Sequence, residues 1–261
     1  MVSYRYFSTA NQDPLLRVGL VGWWTGGGSG LSWEDHSGSG NHGTLEAGPT
    51  WTLGQDGKRN ALSFDGTDDI VTIPVTLSNK ITTNITLAAW VNTRDQSGQH
   101  QNIISEIYDA GADTNIQFKL GLGNDLQILQ MCTGFYNAGW QEATDPNNVP
   151  YPGWFHAAGS YDGTVVRLYI NGKEVSTLVS GTALPTGTSG WVIGRRHDTF
   201  SSGTSIYWNG DIDDVRVYNR ALSAGEIATL ANPSFRTIIP TRGPLGTAIA
   251  AANSPRFFIH W

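Results

Sequence analysis

Short runs of alternating apolar and polar residues, each closed by Gly, Asn, Asp, Ser or Pro, fill the middle of this chain and limit what it can fold into. In Asn84-Ile-Thr-Leu-Ala-Ala-Trp-Val-Asn-Thr93, residues Ile85, Leu87, Ala89 and Val91 fall on one face, the period of a half-buried strand. Val165-Val-Arg-Leu-Tyr-Ile alternates up to Asn171-Gly172 and is followed by Lys173-Glu-Val-Ser-Thr-Leu. Asn-Gly between two such runs predicts a type I′ turn, in which both residues need positive φ, and hence a hairpin. Comparable runs lie at 20–24, 61–64, 69–75, 102–107, 116–120, 126–131, 154–161, 190–194, 206–209 and 212–219. Strands this short bury their apolar faces only against a second sheet. The expected fold is therefore all-β, a two-sheet antiparallel jelly-roll sandwich.

One segment reads as a short C-terminal helix. Ser223-Ala-Gly-Glu226 is a capping box, Ile227 and Leu230 supply an apolar stripe, and Asn232-Pro233 ends it. The chain thus divides into an N-terminal arm at 1–18, a jelly roll at 19–231 and a C-terminal tail at 232–261. The tail has no regular period, yet Ile238, Ile239, Phe257, Phe258, Ile259 and Trp261 are too apolar for a solvated linker. Phe257, Phe258 and Trp261, with Arg256, form a candidate assembly anchor for other copies of the chain or for a shell or capsid protein. The alternative is that the tail lies across its own sandwich and covers a sheet edge.

Composition removes several classes. Charged residues are only 15% of the 261, while glycine contributes 32, which argues against helical bundles and coiled coils. The net charge is −6, but residues 19–231 hold 11 Lys/Arg against 21 Asp/Glu, so an acidic body carries weakly basic ends. Such a body repels phosphate backbones, and no nucleic-acid partner is expected. The lone Cys132 excludes an internal disulfide and a Cys-based zinc site. No run approaches the roughly 20 apolar residues of a membrane span, and the start has no apolar core of a signal peptide, so a soluble chain is expected.

Catalytic signatures are missing as well. Neither a Gly-x-Ser-x-Gly elbow, nor His-Glu-x-x-His, nor a Gly-x-x-x-x-Gly-Lys loop occurs, and His36, His42, His100, His156, His197 and His260 are scattered. Asp211 and Asp213 share a strand face, where a structural or calcium role outweighs a catalytic dyad. Hard oxygen ligands are plentiful, so calcium is the metal to expect. A sugar ring needs an aromatic platform edged by polar groups. Tyr136, Trp140 and Tyr151, in a long polar loop, and Phe200, in the loop 198–208, are the candidate glycan-binding residues; loop packing is the competing role for Trp140.

Four segments carry a family resemblance: Gly19-Leu-Val-Gly-Trp-Trp24, Asp35-His-Ser-Gly-Ser-Gly-Asn-His-Gly-Thr-Leu45, Ala61-Leu-Ser-Phe-Asp-Gly-Thr-Asp-Asp-Ile-Val71 and Gly210-Asp-Ile-Asp-Asp-Val-Arg-Val-Tyr-Asn-Arg-Ala-Leu-Ser-Ala-Gly-Glu-Ile227. With Trp154-Phe-His-Ala and Tyr161-Asp-Gly between them, residues 19–231 resemble the laminin-G-like members of the concanavalin A-like lectin/glucanase superfamily. The resemblance implies a structural calcium held by Asp213 and early-chain carbonyls; Asp65 and Asp35 are further candidates, with Asx-type turns as their alternative role. Related glucanases use paired carboxylates along one strand, but no two of Glu34, Glu46, Glu106, Glu142, Glu174 and Glu226 are close enough in sequence to form that pair.

The expectation is a non-enzymatic structural or display module. Its first reading is a virion accessory protein, a capsid decoration or fibre-associated subunit, oligomeric through its tails and placed on a virion surface or another extracellular assembly, with glycan adhesion through its loops. Its second is a glycan-binding or adhesion module of a cell-surface protein. A glycoside hydrolase comes last.

Overall fold

The computed structural model describes residues 4–8, 14–26, 30–94, 101–106, 115–123, 130–137, 139–185, 189–196, 206–232 and 236–240. The alternating runs form two eight-stranded sheets. The front sheet has the order β12 (Trp140–Thr144), β11 (Gln130–Asn137), β10 (Asn115–Gly123), β9 (Gln101–Glu106), β16 (Trp191–Ile193), β7 (Ile70–Ile73), β4 (Gly43–Glu46) and β3 (Ser32–Trp33). The back sheet runs β15 (Lys173–Val179), β14 (Val165–Ile170), β13 (Phe155–Tyr161), β8 (Ile85–Thr93), β19 (Asn209–Tyr218), β6 (Arg59–Asp65) and β5 (Thr50–Leu53), with β2 (Leu20–Trp24) also paired to β19. Neighbours pair antiparallel throughout, and many joined strands are far apart in sequence, the connectivity of a jelly roll.

Between the sheets lies one apolar core. Leu62, Phe64, Leu87, Val91, Leu168 and Val217 from the back meet Val71, Ile104, Phe118, Leu120, Phe135 and Trp191 from the front. The sheets approach so closely at Gly159 that an added Cβ would collide with the Thr133 side chain. Asn171 and Gly172 take φ of 49° and 78°, as the β14–β15 hairpin requires.

The outer face of the back sheet is closed by a second apolar cluster, Leu16, Leu20, Trp23, Ala88, Ala158, Tyr169, Tyr218, Leu222, Ile227 and Leu230. Ile227 and Leu230 come from helix α1 (Ala224–Leu230), whose capping box is complete: Glu226 N–H donates to Ser223 Oγ (3.3 Å) and Ser223 N–H to Glu226 Oε2 (2.8 Å). Leu16 comes from a 3-10 helix, Pro14–Arg17, so the body starts within the expected arm rather than at residue 19. Arg220 ties the two together, donating to Glu226 Oε1 (2.6 Å) and to the carbonyls of Leu15 and Val18 (both 2.8 Å). Beyond this clamp the chain ends pair with each other: β1 (Tyr4–Ser8) lies antiparallel to β20 (Arg236–Pro240), Tyr6 opposite Ile238. Among the described residues, no helix is long and apolar enough to cross a membrane.

Two expectations change. The polar stretch from Tyr136 is no loop at its start, because Tyr136 and Asn137 end β11 and β12 pairs back on it from Tyr136↔Trp140 to Cys132↔Thr144. Only Ala143 of β12 is buried, so this edge strand carries almost no apolar alternation by which to be read. Of the strand expected at 126–131, residues 130 and 131 open β11, which runs on to Asn137 past Thr133 and Gly134, while 126–129 lie outside the described residues.

Candidate functional site

The three calcium candidates occupy different places. Asp35 has both carboxylate oxygens filled: Oδ1 accepts from the N–H groups of Trp23 (3.0 Å) and Ser37 (2.8 Å), and Oδ2 from Ser37 Oγ (2.9 Å) and Asn41 N–H (2.8 Å). It organises the loop that carries buried Asn41, and four donors leave it little capacity for a cation. Asp65 accepts from Thr67 N–H (2.8 Å) in a turn, beside Asp68 and Asp69, with oxygens of all three within 4.8 Å of one another. Burial, partly countered by the Asp65 N–H and reinforced by the Asp65 and Asp68 charges, pushes the Asp69 carboxyl up. Asp213 is fully buried and accepts from Thr25 Oγ1 (3.3 Å).

Asp65 lies opposite Asn209 at the start of β19, whereas Asp213 is four residues further along it, roughly 13 Å away at strand rise. The candidates therefore do not converge. Of the three, Asp213 fits a hard cation, with a buried carboxylate and a hydroxyl at the mouth of β2. Its neighbour Asp214 is a structural hub at φ 51°, accepting from Trp23 Nε1 (2.6 Å) and from Arg216 Nε (3.0 Å), while Arg216 lies 4.7 Å over the Trp23 ring. Asp211 accepts from Arg94 Nη1 at 2.7 Å and Asp213 from Thr25 Oγ1, so each aspartate of the shared strand face is engaged by a partner of its own.

Of the glycan candidates, Trp140 stands in a built cluster. The Phe118, Leu120 and Leu122 side chains of β10 enter the core, so period-2 alternation turns Lys119 to the outer face of the front sheet. There its Nζ lies 3.2 Å from Glu142 Oε1, 3.6 Å from Cys132 Sγ and 4.4 Å from the centre of the Trp140 ring. Trp140 and Glu142 are half-buried on the edge strand, while Lys119 behind them is only 3% exposed. Burial disfavours the Lys119 ammonium, but Cys132 and Glu142 outweigh it and hold the amine above its ordinary value. Of these two, the Glu142 carboxylate is the effective cause, because burial pushes the Cys132 thiol up and keeps it neutral.

Gly121, Gly123 and Gly134 add no side chains to this patch, and Asn102 borders it from β9. A Cβ on Gly121 would stand 2.7 Å from Asn102 Oδ1, a buried acceptor with no hydrogen-bond partner among the described residues. Tyr151 is exposed on the connection from β12 to β13, Tyr136 is placed by its backbone alone, opposite Trp140, and Phe200 lies outside the described residues. The anchor residues Arg256, Phe257, Phe258 and Trp261 also lie outside them. Sequence reading missed Lys119, Glu142 and Asn102 as a group. The one available signal was a lysine between Phe118 and Leu120 in an otherwise apolar strand.

Residues 65–228 match a laminin G family model described as the concanavalin A-like lectin/glucanases superfamily. The chain belongs to this superfamily. A comparison with curated proteins finds no match. Among solved structures, domain 4 of AbnA, an extracellular arabinanase from Geobacillus stearothermophilus in complex with arabinotriose, superposes with a TM-score of 0.62 at 19% identity, covering 82% of this chain and 98% of that one. The Trypanosoma rangeli sialidase in complex with sialic acid gives 0.58 at 20% identity, covering 82% of this chain and 32% of the sialidase. A botulinum neurotoxin type C structure, whose cell entry depends on two ganglioside molecules, gives 0.61 at 14%, covering 82% and 50%. At these identities the likeness is one of fold, and this superfamily member spans about a third of the sialidase and half of the toxin chain.

Proposed function

We propose that the protein is a non-enzymatic carbohydrate-binding module that uses the outer face of its front sheet. The observation that carries this reading is the half-buried Trp140 at the sheet edge, set by Lys119 and flanked by Glu142. An indole offers the flat apolar surface that a pyranose face needs, and an ammonium, a carboxylate and an amide offer partners for its hydroxyls. The arabinanase domain of the same fold is solved with arabinotriose, and the sialidase that contains a similar domain is solved with sialic acid, which supports a sugar as ligand. No carboxylate pair with glycosidase spacing is apparent in the sequence, and Glu142 is engaged by Lys119. Screening the purified chain on a glycan array tests the proposal. Binding is expected, and Trp140→Ala should weaken it at least about tenfold while leaving the melting transition close to wild type. Equal binding by the variant would move the site elsewhere.

The pairing of β1 with β20 favours a second, compatible role as a displayed subunit. A ribbon of two strands is marginal in water unless a surface covers it, so the one formed by residues 4–8 and 236–240 would gain from a covering partner. Other copies of the chain or the shell of a virion or similar extracellular assembly would supply it, with the sandwich presented outward. Removing residues 233–261 should then abolish attachment or oligomerisation without lowering the stability of the sandwich; a large stability loss would make the tail part of its own fold. Calcium is a further element of the proposal: Asp213, with the Thr25 hydroxyl, would hold it and pin β19 to the end of β2.

A further inference from the structure

We infer that the Trp140 site takes neutral sugars, through a ring that presents adjacent hydroxyls, and rejects rings that bear a carboxylate. The inference rests on the carbohydrate reading of this face and adds the charge class of the ligand. It starts from the orientation of one ion pair. Lys119 and Glu142 neutralise each other at 3.2 Å, but their side chains are 4% and 21% exposed, so the ammonium lies inward and the carboxylate outward. Alternation along β12 accounts for this. Ala143 enters the core, so Trp140, Glu142 and Thr144 share the outer face, roughly 7 Å apart at strand rise, and all three are half-buried.

The strip thus offers an indole, a carboxylate and a hydroxyl in a row. Lys119 Nζ stands over the Trp140 ring, 4.4 Å from its centre, which leaves one indole face for a sugar. A ring stacked there lays its hydroxyls along β12, where the Glu142 carboxylate accepts charge-assisted hydrogen bonds from them. An ionised carboxyl on the sugar has no proton to donate and meets the negative end of the pair. The surroundings act in the same direction, because residues 19–231 hold 21 Asp/Glu against 11 Lys/Arg, a field that lowers the local concentration of anions. Arg196, whose charge opposes protonation of Lys119, does not offset this. It belongs to β17 (Arg195–Arg196), which pairs with β18 (Ile206–Tyr207) and follows Gly194, whose N–H donates to Ile103 O of β9 at 3.0 Å. In the sheet β9 is three strands from β12, roughly 14 Å, beyond the screening length of about 8–10 Å.

The test uses the full chain on an array of neutral glycans beside their uronic or sialylated counterparts, followed by calorimetric titration of two pairs of probes. The pairs are the methyl ester of trigalacturonic acid against the free acid, which differ in charge at the same ring, and lactose against sialyllactose. At low salt the neutral member should bind at least about fivefold more tightly, the worth of one like-charge contact near the surface. The gap should close as sodium chloride is raised, through a gain by the acidic member alone. Glu142→Gln keeps the size and an acceptor but removes the charge, and should raise the acidic-to-neutral ratio at least about fivefold, a change that no merely structural role would produce. If that variant does not fold, the salt series on the wild-type chain decides by itself. An acidic glycan bound as tightly as its neutral counterpart or more so, on the array or in solution, or a gap that salt leaves unchanged, would overturn the charge inference and leave the carbohydrate reading intact. Binding of no glycan on the array and of none of the four probes would remove both.

Discussion

The two sheets turn very different outer faces to their surroundings. On the back sheet, Trp23, Tyr169 and Tyr218 are at most 2% exposed beneath α1 and the Pro14–Arg17 turn, and the charges there, Asp214 and Arg216, are paired with each other and with the Trp23 ring. On the front sheet, the residues in the equivalent outward positions are Lys119, Cys132, Glu142 and Trp140, with glycines between them. An apolar outer face must be covered, and the chain covers this one with its own helix. The front face instead carries polar and charged side chains, with one half-buried aromatic, Trp140, at its rim. The same alternation therefore builds a structural layer on one side and, on the other, the face proposed here to bind carbohydrate.

The sharpest way to break this comparison is to remove one tryptophan from each face. Trp23→Ala deletes a buried ring, the donor to Asp214 and the surface on which Arg216 rests, and should cost about 3–5 kcal/mol in urea unfolding. Trp140→Ala should cost less than about 1 kcal/mol, because the ring is half-exposed and Lys119 retains Glu142. Similar losses from both variants would mean that the front face is as structural as the back.

Much of this division was legible in the sequence, and the part that was not has a physical cause. Ile85–Thr93 and the Asn171-Gly172 hairpin announce themselves through period and turn chemistry, and Ser223 with Glu226 marks α1. These signals are local. The candidate site depends on register: Lys119, Cys132, Glu142 and Trp140 meet because β10, β11 and β12 pair in one alignment, and no spacing along the chain encodes that. The strand β12 escaped notice because an edge strand exposed on one side needs no apolar alternation. Asp35 was ambiguous for the opposite reason. A carboxylate in a Gly- and Ser-rich loop reads equally as ligand or turn residue until its four donors are seen.

Calcium offers an intermediate effect. If Asp213 holds the ion, a chelator should lower stability by up to about 2–3 kcal/mol when the ion was present at 100 times its dissociation constant. Asp213→Asn should remove the chelator's effect, and glycan binding on the front face should persist without the ion, since Asp213 belongs to the back sheet. Loss of glycan binding with chelator would couple the two faces and blur the contrast between them. Removing the helix cap is a smaller perturbation still: Ser223→Ala should cost about 1 kcal/mol and loosen α1 in hydrogen exchange before any front-sheet strand.

The smallest expected effect is the pH dependence of the back-face clamp. Arg220 and the Ser223 contacts, against an opposing push from burial, hold the Glu226 carboxyl down at about 2, well below the ordinary value for a glutamate. A carboxyl whose folded pKa is depressed contributes stability that is fully present above the unfolded value and is lost as pH falls through the folded one. The contribution of Glu226 should therefore be complete at neutral pH, begin to fade below about pH 5 and disappear as pH falls through about 2, within a magnitude kept small by the partial exposure of the pair. Arg220 also binds the Leu15 and Val18 carbonyls, so the first amides to lose exchange protection on acidification should be those of α1 and the Pro14–Arg17 turn, ahead of β10 to β12. Glu226→Gln should flatten this acid response, at the cost of a slightly weaker helix at pH 7. A wild-type acid response that begins in the front sheet, or one unchanged in Glu226→Gln, would show that the clamp does not set the stability of the closed face.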